Sequence, residues 1–272
     1  MTKTEHGARR GRRAAAGMLS LLAVGMAVPT IAHANVVPTL GRGKPAIGIS
    51  RAIADNDRPE QDRSADAARK PAALLTFAGI RPGMAVADVM PGRGYFTRLF
   101  SNVVGPKGHV YAIVPAWLAQ KKPTAADAVN AIAQEAAFAN VSVSVEPLET
   151  LSVPRPLDVV WTSQNYHDIY YGQSADAALA FDKAAFAALR PGGSLVIVDH
   201  VALPGGVTAD IAKLHRIDPA IIRQQAEAAG FVFQTDSTVL ANPSDPHTVP
   251  VFDPSIRGKT DQVVLKFVKP AR

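Results

Sequence analysis

The chain has 272 residues, 47% of them hydrophobic, enough to bury one large core without covalent staples. It has no cysteine, which excludes disulfides, thiolate metal centres and cysteine nucleophiles. Much of its formal charge of +6 lies at the start: without Lys3, Arg9, Arg10, Arg12, Arg13 and Glu5, the 29 basic and 23 acidic residues become 24 and 22. The remaining +2 excludes the basic footprint of a nucleic-acid-binding protein.

Residues 1–34 have the layout of a secretory signal: a basic start, an apolar Ala/Leu/Val/Met stretch and a small-x-small end at Ala32-His33-Ala34. Gly25 and Pro29 interrupt the apolar stretch, so no stable membrane span is expected once the signal is removed. The pairs Arg9-Arg10 and Arg12-Arg13 leave the twin-arginine route open beside the general one. The mature chain is expected in the periplasm or outside the cell. Residues 35–61, with Pro38, Gly41, Gly43, Pro45 and Pro59, read as a linker, and residues 62–272 as the folded domain.

Within that domain, "DRSADAARKPAALLTFAGI" reads as a helix ending near Gly79, and "RPGMAVADVM" as a turn and a buried strand. Tyr95–Val104 reads as a helix, "HVYAIV" as a strand and "TAADAVNAIAQEAAFA" as a long helix. "VSVSVEP" and "LDVVWTS" are strands, followed by the helix "SADAALAFDKAAFAALR" and the apolar strand "SLVIVDH". "DPAIIRQQAEAAGF" is a helix, with Asp218 as N-cap and Pro219 at its first position. "FVFQTDSTVL" and "DQVVLKFVK" are two final strands suited to antiparallel pairing. Strand and helix alternate, and the strands are apolar runs, as in a parallel sheet covered by helices on both faces. The fold expected is therefore α/β and doubly wound.

In such a sheet ligands bind beyond the carboxyl ends of the strands, so the residues after each strand carry the functional information. After the first strand stands Met90-Pro91-Gly92-Arg93-Gly94, where two glycines permit unusual backbone angles and close approach of a ligand. Asp88-x-x-x-Gly92-x-Gly94, Thr97, "GPKGHVYA", "LRPGG" at Leu189–Gly193 and the closing strand pair together resemble class I S-adenosylmethionine-dependent methyltransferases. "ARKPAALLTFAGIRPGM", "NYHDIYY" and "HTVPVFDPSIRGKTDQVVLKF" look like a bacterial, often exported subgroup of that family.

The resemblance implies a Rossmann-like, seven-stranded, mostly parallel sheet with an antiparallel last strand. It also implies S-adenosylmethionine as cofactor and a small molecule as methyl acceptor. Gly92 and Gly94 would lie under the methionine part, with Asp88 shaping the loop. The cofactor-binding set is then Asp88, Met90, Pro91, Gly92, Gly94, Tyr95, Val114 and Asn165. Two positions depart from the family pattern. Met90 replaces the first loop glycine, and Val114-Pro115 ends the second strand where the family has an acid for the ribose hydroxyls. Glu146 and Glu149, after the third strand, are the alternative acids for the adenosine end.

After the fourth strand, "SQNYHDIYY" offers His167 as a base and Asp168 to orient it, or else a capped helix start. Asp199, His200 and His215 fall close to the same sheet edge, though their spacing is not that of a metal motif, and no metal is expected. Two rival functions stand beside methyl transfer. One is a non-catalytic small-ligand-binding protein on the same fold, and the other a metal-dependent hydrolase or lyase using the His/Asp cluster. The long segment Asn242–Gln262 reads as a lid or binding loop, with His247, Arg257 and Lys259 as candidates. Arg63, Arg69 and Lys70 read as either cofactor cover or a solvated helix face.

Overall fold

Runs with apolar residues on both faces form the middle of one sheet. In the computed structural model these are β1 (Ala85–Val89), β2 (His109–Pro115), β4 (Leu157–Ser163) and β5 (Leu189–His200). β3 (Val141–Glu146), where serines alternate with valines, takes one edge, and β6 (Val232–Ser237) the other. With β7 (Gln262–Val268) the order is β3-β2-β1-β4-β5-β7-β6. β1 to β5 are parallel, and β7 runs antiparallel between β5 and β6. The expected Rossmann-like sheet is thus present, and its switch point lies between β1 and β4. The structure describes residues 47–205 and 212–271, so the expected signal at 1–34 lies outside the described residues. Among the described residues no helix is long and apolar enough to cross a membrane.

Successive strand residues face opposite layers. Val86, Val110, Ala112, Val114, Val159 and Trp161 pack under α3 (Pro71–Ala78), α4 (Tyr95–Val104) and, after the short α5 (Ala116–Lys121), α6 (Asp127–Gln134). Ala87, Val89, Ile113, Val160 and Ile197 pack under α7 (Tyr166–Gly172), α8 (Ala175–Ala188) and α9 (Pro219–Ala228). Ser174 caps α8 by accepting from the Ala177 N–H, and Asp218 caps α9 by accepting from the Ala220 N–H.

The fold starts earlier than residue 62. Within the expected 35–61 linker, α1 (Ile49–Ile53) places Ala52 in the core, and the Ile47 N–H donates to the Asn102 carbonyl at 3.1 Å. Arg58, almost wholly buried, donates to the Ile53 carbonyl and to both oxygens of Asp66. An apolar anchor and a buried ion pair therefore make residues 47–61 part of the domain.

Three other segments differ from expectation. The helix expected across 62–79 is two, α2 (Glu60–Arg69) and α3, because Pro71 disfavours a right-handed helical Lys70, which turns left-handed at φ 45°. The long helix expected after residue 123 is shorter. Only α6 is α-helical, with single 3-10 turns at Pro123–Ala126 and Ala136–Phe138. The segment 242–262 is pinned rather than free. Fully buried Arg216 donates to both carboxylate oxygens of Asp245 and to the carbonyls of Val201 and Val249.

Candidate functional site

The cleft at the switch point has a volume of about 390 Å³ and opens between the loop after β1 and the residues after β4. Met90, Pro91, Gly92, Arg93, Tyr95 and Phe96 form one side, and Ser163, Gln164 and Asn165 another. Gln61, Asp62, Ala65 and Arg69 of α2 form the third wall.

Three left-handed residues shape the loop: Met90 at φ 58°, Gly92 at 58° and Gly94 at 79°. Methionine therefore adopts a backbone that glycine takes more readily, and its side chain is packed beneath the cleft. The two glycines differ in role. A Cβ on Gly92 would meet open space, so this residue keeps the cleft floor bare. A Cβ on Gly94 would collide with Ile132, so Gly94 serves the packing of α4 against α6 and does not line the cleft.

Asp88 is buried at the cleft base and accepts from the Thr97 hydroxyl at 2.6 Å. Burial pushes its carboxyl up to about 7, against the opposing pull of Thr97 and Arg69. Arg69 lies 4.8 Å from the centre of the Tyr95 ring and 5.8 Å from that of Phe96, and donates weakly to Gln164 at 3.4 Å. Burial lowers its pKa, with Asp62 and Asp88 acting the other way. Tyr95 donates to Asp66 at 2.6 Å and so fastens α2 to the start of α4. Arg93 and Gln61 bond across the rim. Asn165 donates to the carbonyls of Met90 and Ser163, tying the two loops together.

Val114 is buried inside the sheet and offers no acceptor. A second cleft of about 490 Å³ lies past the ends of β2 and β3, lined by Ala116, Trp117, Pro147, Leu148 and Glu149 against Ile169 and Gln173. Glu149 thus faces a cavity, whereas Glu146 accepts from Ser144 and from the Ser152 N–H. Trp161 is core.

The His/Asp residues do converge. Asp199, fully buried at the end of β5, accepts from the His167 backbone N–H at 2.8 Å and lies 2.7 Å from His167 Nδ1. Burial opposes a charge on His167, but Asp199 and Asp168 outweigh it and its pKa is raised. His200 is pushed down to about 4 by burial and bonds Thr260 through Nδ1. His215 stands beside His167 at 5.5 Å between ring centres, and Phe252 of the 242–262 segment also packs against it at 4.9 Å. None of these residues lines the switch-point cleft. His247 pairs with Asp261, while Arg257 and Lys259 are exposed. Arg63 bonds the carbonyls of Asn56 and Arg58, so of the three basic residues near α2 only Arg69 lines the cleft.

Gln61, Asp62 and Phe96 are cleft residues that no motif announced, and Gln164 is one that lies inside "SQNYHDIYY" but is not among its candidate residues. Gln164 had one signal, its place between a strand end and Asn165, and it adopts a left-handed φ of 63°.

No protein-family model and no curated protein matches the sequence. Solved structures do. A SAM-dependent methyltransferase from Aquifex aeolicus is similar at 18% identity, covering 82% of this chain and 98% of its own, with a TM-score of 0.53. The [4+2]-cyclase SpnF matches at 16% identity, 82% and 92% coverage and a TM-score of 0.56. A possible exported protein from Bordetella parapertussis matches at 17%, 85% and 81%, with a TM-score of 0.50. The chain therefore has the class I S-adenosylmethionine-dependent methyltransferase fold.

Proposed function

We propose that this protein transfers a methyl group from S-adenosylmethionine to a small-molecule acceptor. The observation that carries the reading is the left-handed loop at the switch point, with the bare Gly92 floor above buried Asp88. The cofactor, when bound, supplies an activated methyl group on a positively charged sulphur. Arg69 would hold a carboxylate at the α2 wall, and a cationic ligand above Asp88 would draw its carboxyl, raised to about 7 by burial, to the charged form. Asn165 fixes the relative position of the two loops that grip it. Glu149 and Trp117 line the second cleft past β2 and β3, where Glu149 would be the carboxylate available to ribose hydroxyls in place of the acceptor missing at Val114. His167, steadied by Asp199, lies outside the cleft lining and would serve as base only for an acceptor hydroxyl or amine that reaches the neighbouring His/Asp cluster.

Fold alone does not fix chemistry, and SpnF, named a cyclase, shares this architecture. The lack of an acceptor at Val114 favours, as a second reading, a protein that binds another small ligand in the same cleft. Calorimetric titration of the purified chain with S-adenosylhomocysteine decides between them. One equivalent should bind, more weakly after Arg69→Ala and Glu149→Ala. No binding at millimolar ligand overturns methyl transfer.

We further propose that the chain is exported. The three-part leader supports this, as does the fold neighbour described as a possible exported protein. Amino-terminal sequencing of the mature protein should begin at Asn35.

A further inference from the structure

Beyond the cofactor cleft, we propose that His167, Asp168 and His215 form a mononuclear site for a divalent transition ion, with zinc the first candidate. One ligand atom from each residue lies within 4.8 Å of the other two. Asp168 Oδ1 is 3.5 Å from His167 Nε2 and 3.7 Å from His215 Nδ1. Those separations are long for hydrogen bonds. They are close to the edge of a coordination tetrahedron, about 3.3–3.4 Å when metal–ligand bonds are about 2.0–2.1 Å.

A second observation concerns the other ring nitrogen of His167. Its Nδ1 is held at 2.7 Å by Asp199, which is fully buried. This bond sets the proton on Nδ1 and leaves the Nε2 lone pair facing Asp168 and His215. A carboxylate behind a ligating imidazole is a recurrent support in metal sites, fixing the ring and raising its basicity. Asp168 and His215 are each a little over one-third exposed, so an ion can enter from solvent. His215 takes a left-handed backbone at φ 53°, uncommon for a residue other than glycine.

Two imidazoles and one carboxylate suit zinc, iron(II), cobalt or manganese, and three protein ligands leave a position open for water or an oxygen-bearing substrate. An ion on Nε2 uses the same lone pair that a general base needs. The metal-bound and base-competent states of His167 therefore exclude each other. The site itself does not depend on cofactor binding.

The test is calorimetric titration of chelator-stripped protein with zinc chloride alone. One equivalent should bind with a Kd of micromolar or tighter. His215→Ala and Asp168→Asn should each weaken binding at least 30-fold, and Asp199→Asn 10- to 100-fold. His247→Ala, whose ring pairs with Asp261 instead, should leave binding unchanged. Circular dichroism of each variant before metal is added checks that it is folded, and His215→Gln replaces any variant that is not. Absence of stoichiometric binding overturns the proposal. So does a folded His215 variant that binds like the parent, or a His247 variant that loses as much. Titration with S-adenosylhomocysteine should be unaltered by His215→Ala, which separates failure of this site from failure of the cofactor cleft.

Discussion

Gly92 and Gly94 have similar backbones but different neighbours, so equal substitutions should have unequal effects. Gly94→Ala should lose about 2–4 kcal/mol of stability, because it adds a collision with Ile132 to a strained backbone. Gly92→Ala should cost only about 1 kcal/mol, because its Cβ enters open space, yet it should weaken ligand binding. Chemical denaturation and ligand titration of the two variants separate packing from recognition. The sequence names both glycines as loop residues but cannot assign these roles. Ile132 reaches Gly94 only once α6 has folded back over the loop. His167 and Asp199 are legible as polar residues after strands, while their 2.7 Å bond depends on β4 and β5 being neighbours. Gln61 and Gln164 carry no charge or spacing signal, and their role comes from position alone.

Among the elements, those held by local rules are the most readable. The strands show as β-branched runs and α9 shows in Asp218-Pro219, whereas the α2–α3 break at Pro71 is missed when 62–79 is read as one helix. Segments held by distant contacts are not readable in this way. The 242–262 segment has a loop's composition, but the Arg216–Asp245 pair fixes it, and nothing in the sequence of either residue marks its partner. Asp245→Ala leaves an uncompensated buried guanidinium and should cost about 3–5 kcal/mol. Replacing both residues together, as in Arg216→Met with Asp245→Leu, should cost less. Thermal denaturation of the single and double variants gives the comparison. If the single variant loses less than the double, the pair is not what pins the segment.

The stability of the whole molecule registers the charge state of Asp88. With its pKa raised in the folded state, the group favours folding fully below the unfolded value of about 4. That contribution is lost as pH rises through about 7. Asp88→Asn removes the titration. The stability advantage of the parent over this variant should shrink by on the order of 2–3 kcal/mol between pH 5 and pH 8, measured by urea unfolding at both. A constant difference would mean that Asp88 is not desolvated. The overall plan was legible in the alternation of strand and helix. The residue at which the domain begins was not, because α1 and Arg58 join the core through contacts made far along the chain.

The clasp between α2 and the rest of the cleft also sets an order of events. Asp66 meets Tyr95 across 29 positions, and Arg69 meets Gln164 across 95. The wall that leaves the ribosome first thus waits for residues made up to 95 positions later, and a chain cut short of Asn165 cannot hold a ligand that needs both Arg69 and Asn165. Ligand capture then belongs to the end of folding. A chain threaded through a membrane unfolded arrives without cargo and must find its ligand on the far side, whereas one carried across folded can bring its ligand along.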